Sequence, residues 1–196
     1  HNHLGEVFSY GWSKRPVSEL VAALDEAGVE TIVDLDGGQG QAFSEHYARY
    51  AGAYPTRFAH VAQLAYEEWI ERPDFGEMEA ARYQDAVRHG AVGFKAWKPL
   101  GLRARDPDGV VVPVDDPRLD PLWAMAAKTD TVVIVHVADP IAFFDRLDAH
   151  NERWEELQSH PDWHFWPPRS EAGEHGFPAF DEVIAAFERV VARHPE

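Results

Sequence analysis

Apolar positions recur at three- and four-residue spacing in five stretches of the chain, and four short runs of crowded apolar residues stand between them. The first spacing is that of a helix with one buried face, the second that of a strand covered on both sides. Helices are accordingly predicted over 15–30, 42–55, 76–90, 119–130 and 179–194, and strands over 31–36, 57–64, 91–97 and 131–137. The punctuation agrees: Pro16 lies near the start of the first helix, Gly28 at its stop, and Gly37 and Gly38 behind the first strand. A loop rich in Asp, Pro and Gly runs from Pro99 to about Pro117. Residues 138–178 lack a regular period and are expected to form an irregular, lid-like segment within a single domain spanning 1–196.

Strands alternating with helices, without a hairpin signal, predict an α/β fold with a parallel sheet wound by crossovers. An open doubly wound sheet and a closed barrel both fit that order. No Gly-x-Gly-x-x-Gly follows the first strand, which weakens the dinucleotide-binding form of the open sheet. Alternate side chains of a strand share a face. In "TVVIVHV" this groups Val132, Ile134 and His136; in "TIVDLD" it groups Ile32, Asp34 and Asp36; in "VGFKAW" it groups Lys95 and Trp97. Each strand thus keeps one apolar face, and its other face turns polar only at the C-terminal end. Barrels of the (β/α)8 type place their chemistry at that rim. Taken singly, Asp34 and Asp36 also suit turn capping, and His136 also suits a satisfied core position.

Composition narrows the chemistry. The chain has 196 residues, 45% hydrophobic and 27% charged, as in a globular protein. A formal charge of −16 repels phosphate backbones, so nucleic acid is not an expected partner. The opening "HNH" therefore does not read as a nuclease signature. No apolar run approaches a membrane span, no signal peptide is visible, and cytoplasmic location is the default expectation. Cysteine is absent, so any metal would rest on His, Asp, Glu or modified Lys.

His1 and His3 bracket an asparagine, which suggests either half of a metal site or the remnant of a purification tag. If they end a strand, their Cα atoms lie roughly 6.6 Å apart on one face, and both rings can reach one ion at about 2.0–2.1 Å. His136, at a later strand end, is a candidate third ligand. Three nitrogen donors and an open position suit an ion that acidifies a water.

The ordered stretches "HNHLGE", "DLDGG", "VGFKAWKPLGL", "RDPDG", "DDPRLDPLW", "VIVHVADPIAFF" and "NERWEELQSHPDWHF" resemble a bacterial branch of the amidohydrolase-related proteins (amidohydrolase family 2), nearly end to end. The wider family includes aminocarboxymuconate-semialdehyde decarboxylase, resorcylate decarboxylases and dicarboxylate lactonases. The resemblance implies a distorted (β/α)8 barrel with a divalent ion, most often zinc, held by His1, His3 and His136. It places Lys95 on the fourth barrel strand, where binuclear relatives carry a carboxylated lysine; here an uncarboxylated lysine facing substrate is expected. The family's catalytic His after strand six and metal-binding Asp after strand eight have no counterpart. The chain is therefore expected to be an incomplete TIM barrel, about strands 1 to 5, missing strands 6 to 8 and most of strand 1.

The expected activity is metal-dependent hydrolysis of a small carboxylic ester, lactone or amide. The alternatives are decarboxylation of an aromatic or muconate-type acid, and a non-catalytic binding or assembly module using the aromatic stretch "HPDWHFWPP". Lys95 and Asp34 are the candidate catalytic residues, and Trp97, Arg103, Asp36 and Asp139 the candidate substrate contacts. A small-molecule substrate and a homodimer of the full-length parent are the expected partners.

Overall fold

A computed structural model describes residues 2–6, 9–65 and 72–195 of the chain. By contact density they fall into two compact units, the first built from 1–65, 76–96 and 121–135 and the second from 66–75, 97–120 and 136–196. Each is described by itself.

The first unit is a parallel sheet of β1 (Ile32–Asp34), β2 (Phe58–Gln63), β3 (Ala91–Ala96) and β4 (Val132–Val135), in that spatial order. Helix α1 (Val17–Glu26) precedes β1, and α2 (Gly40–Arg49), α3 (Phe75–Arg88) and α4 (Asp120–Thr129) run between the strands. All four strands and these helices fall where the apolar spacing predicts them, the strands shorter and α2 and α3 starting one or two residues early. Helix α1 stops where Gly28 takes a φ of +67°, and the amides of Gly28 and Val29 close back on the carbonyls of Asp25 and Leu24. That left-handed closure satisfies carbonyls the helix itself leaves unpaired. Strand β1 ends at Asp34 rather than Asp36. Beside it runs a further ribbon: Asn2 pairs in parallel with Asp34, its amide donating to Val33 at 2.8 Å and its carbonyl accepting from Leu35 at 2.9 Å. The opening residues thus extend the sheet beyond β1, as expected of the end of a preceding strand.

The two faces of the sheet differ. Ile32 and Phe58 pack with Leu4, Leu20, Leu24 and Tyr50 into one apolar cluster. Phe94 lies against Tyr83 of α3 and Trp123 of α4, at ring separations of 4.8 and 5.5 Å. This is the helix-covered face. By alternation, Gln63 and Lys95, paired across β2 and β3, point to the opposite face. Strands β3 and β4 meet so closely that a side-chain carbon on Gly93 would stand 2.1 Å from the Val132 carbonyl oxygen.

The second unit is organised around Leu102, Phe143, Phe144, Leu157, Phe165 and Val183. Its one long helix among the described residues is α5 (Phe180–Arg193), where the Glu182 carboxylate accepts the Ala179 amide at 2.9 Å and so closes the first turn. Residues 138–178 hold only short helical turns, including Trp154–Ser159 and Arg169–Ala172. Among the described residues, no helix is long and apolar enough to cross a membrane.

Candidate functional site

Residues at the C-terminal ends of the strands, on the face of the first unit opposite its helices, form a polar group. Asp36 is its centre. Its Oδ1 lies 2.8 Å from His3 Nδ1 and accepts from Gln63 Nε2 at 3.2 Å, while its Oδ2 accepts the Gly5 amide at 3.0 Å. Gln63 also donates to the Leu35 carbonyl at 3.1 Å. Lys95, paired in register with Gln63, is 4% exposed. Burial lowers its ammonium pKa, and the negative charge of Asp36 opposes that shift. A neutral amine is thereby brought nearer to the working range, which suits either a proton acceptor or a contact to a substrate.

Asp34 is not part of this group. Its carboxylate is fully buried on the helix-covered face, where Oδ2 lies 2.6 Å from His46 Nε2 on α2 and 3.0 Å from His60 Nδ1 on β2. Its Oδ1 accepts the amides of Leu4 at 2.8 Å and Asp36 at 3.3 Å. Burial pushes its pKa up, but both imidazoles and the Leu4 amide outweigh that and hold the carboxyl well below the usual range. The expectation that Asp34 and Asp36 share a face is therefore corrected. The regular strand ends between them, and Asp34 stays with Ile32 beneath the helices.

Asp34, His46 and His60 form, among the described residues, one group whose potential ligand atoms lie within 4.8 Å of one another. The sequence reading missed both histidines. The available signal was a histidine in the middle of the apolar strand "FAHVAQ", where a buried ring needs a partner. Two short contacts from imidazole nitrogens to one carboxylate oxygen describe a hydrogen-bonded clamp that ties α2, β1, β2 and the opening residues together.

In the second unit, His136 directly follows β4 and is 37% exposed, with Nε2 3.5 Å from Asp139 Oδ1. Asp139 also accepts from Lys98 Nζ at 2.6 Å. Burial would raise its carboxyl; His136 and Lys98 together bring it below the usual value. Lys98 lies over the Trp163 ring at 6.0 Å, and His160 stacks on that ring at 4.0 Å. Arg103 donates to the Asp162 carbonyl and lies over Phe165 at 4.9 Å, so it fastens the aromatic segment. Trp97 is half-buried just beyond β3. His1 lies outside the described residues. A cleft of about 390 Å³ lined by Val111, Pro113, Asp115, Arg169 and Arg189, among others, contains none of the predicted residues.

Solved structures share the fold of this chain. A 2,6-dihydroxybenzoate decarboxylase complexed with 2,6-dihydroxybenzoate matches at TM-score 0.55 and 17% identity, over 94% of this chain and 56% of that one. The fold is that of part of a parallel (β/α) barrel. A 2,6-dihydroxybenzoate decarboxylase from Rhizobium gives 0.54 and 17% over 97% and 58%, and a candidate amidohydrolase from Staphylococcus aureus 0.53 and 16% over 91% and 56%. What is shared at these identities is the fold, and the chain spans little more than half the length of these structures. No protein-family model matches the sequence, and neither does any curated protein. The half-barrel carries the sheet and helices expected for about strands 1 to 5, with the ribbon at Asn2 standing as the first.

Proposed function

We propose that the full-length protein is a metal-dependent enzyme acting on a small carboxylic ester, lactone or amide. One observation carries this reading. The parallel pairing of Asn2 with Asp34 sets His3 at the C-terminal end of a strand beside the sheet, on the face that also bears Asp36, Gln63 and Lys95. The rim of a barrel with this fold is where such groups act.

The residues fit a divalent ion in kind. His3 offers a ring nitrogen backed by a carboxylate through its other nitrogen, the arrangement that orients and strengthens a histidine ligand. His1 and His136 are the further proposed holders, and a set of imidazoles without thiolate suits zinc. When bound, such an ion polarises a substrate oxygen and acidifies water. The chain's own residues supply the surroundings: Asp36 keeps the His3 ring in place, and Lys95 presents an amine whose pKa is lowered by burial to a substrate carboxyl group. Trp97 and Asp139 are proposed substrate contacts.

Decarboxylation of an aromatic acid is the second reading, favoured by the match to the two dihydroxybenzoate decarboxylases. Both readings start from one metal site, and product analysis separates them. With the full-length protein on a panel of esters, lactones and hydroxybenzoates, turnover is expected to vanish with chelator and return with zinc. A new acid marks the hydrolase and released carbon dioxide the lyase. Turnover indifferent to chelator defeats the metal reading.

A further inference from the structure

We infer that Asp36 is a positioning residue that fixes His3 in a single tautomer, with the proton on Nδ1 and the lone pair on Nε2. The inference rests on the reading of His3 as a metal ligand only for its consequence, since the tautomer follows from contacts within the first unit. A carboxylate can only accept, so the 2.8 Å contact between Asp36 Oδ1 and His3 Nδ1 requires the proton on Nδ1. A neutral imidazole carries one such proton, which leaves Nε2 as the nitrogen able to bind a cation.

Asp36 is itself held on several sides. Gln63 bonds both Asp36 Oδ1 and the Leu35 carbonyl through Nε2. Two acceptors on that atom identify it as the amide nitrogen, so the side chain cannot be turned round without losing both bonds. The Gly5 amide holds Oδ2 at 3.0 Å. A side-chain carbon on Gly5 would stand 2.9 Å from that oxygen and 3.0 Å from the Asp36 Cβ, so the bare backbone there is what lets the carboxylate approach. Asp36, 10% exposed, thus has its position set by two other segments, at Gly5 and Gln63, before it touches the ring.

The test begins with the 196-residue chain labelled with ¹⁵N-histidine, in a long-range proton–nitrogen spectrum taken above the imidazole titration range. His3→Gln identifies the His3 signals among the 11 histidines. The expected pattern is Nδ1 protonated and Nε2 without a proton. A protonated Nε2, or averaging between the two forms, overturns the inference on the unsubstituted protein, whatever the variants do. In Asp36→Ala the ring is expected to move toward the Nε2–H form and zinc affinity, measured by competition with a chromophoric chelator, to fall about 10–100-fold. Equal zinc affinity in Asp36→Ala and the parent overturns the positioning role. Failure of the unsubstituted chain to bind zinc, with the Nδ1–H pattern intact, strikes the metal reading and leaves the tautomer assignment standing.

Discussion

Two aspartates a residue apart in "DLD" face opposite sides of the sheet and answer to different pressures. Asp34 is a buried charge with four hydrogen-bond partners, and removing it strands two imidazoles and the Leu4 amide without an acceptor. Breaking a buried ionic network in this way costs about 3–5 kcal/mol. Asp34→Ala is therefore expected to lower the unfolding free energy by that amount, read from urea titrations followed by tryptophan fluorescence. The pH dependence has a definite sign. The folded carboxyl titrates below its unfolded value of about 3.9, so its stabilisation is complete above that pH and is lost as pH falls toward the folded value. Acid unfolding of the parent is expected to steepen below about pH 4, and Asp34→Asn to flatten that limb. An unchanged acid limb in Asp34→Asn would remove the clamp from the account of stability. Strand alternation identified both aspartates as worth attention. It misassigned one because the face rule holds only inside the regular strand, and both faces of a buried parallel strand are apolar. His46 and His60 escaped notice because their partner lies 12 and 26 residues away.

At the scale of elements, periodicity located every strand and long helix described, because each is built on a continuous apolar stripe. The register between strands was not legible, since it depends on where backbones touch. Gly93 shows this best: it sits opposite Val132, and the gap left by its missing side chain is what permits the β3–β4 spacing. Gly93→Ala sets a methyl group against a backbone oxygen that cannot move without breaking the ladder. It is expected to cost at least about 3 kcal/mol, the upper end for overpacking. Val92→Ala at the exposed neighbouring position is expected to stay within about 0.5 kcal/mol. Circular-dichroism melts of the two variants make the comparison, and equal melting temperatures would contradict the described register. The irregular segment at 138–178 was foreseen as lacking long elements. Its internal fastening by Arg103 was not, because a cation held over aromatic rings by a distant carbonyl leaves no local pattern.

For the molecule as a whole, the sheet order leaves β4 paired on one side only among the described residues, with Val132 58% exposed. An unpaired, apolar strand edge is a template for a second copy. The 196-residue chain alone is expected to self-associate with concentration in size-exclusion chromatography. Val132→Lys, a charge on that edge, is expected to shift it toward monomer. Concentration-independent monomer in the parent would show the edge to be protected. The same experiment on the full-length protein tests the expected homodimer.

The sealed ring of His60 has a practical corollary. It is wholly inaccessible, and among the described residues its Nε2 has no hydrogen-bond partner, whereas His150 is 96% exposed. Acylating reagents that seek imidazoles in water meet His150 at once and reach His60 only when α2 parts from the strands. The extent of modification at that one ring is thus a clock for opening of the protein's interior, legible by mass spectrometry without any added probe.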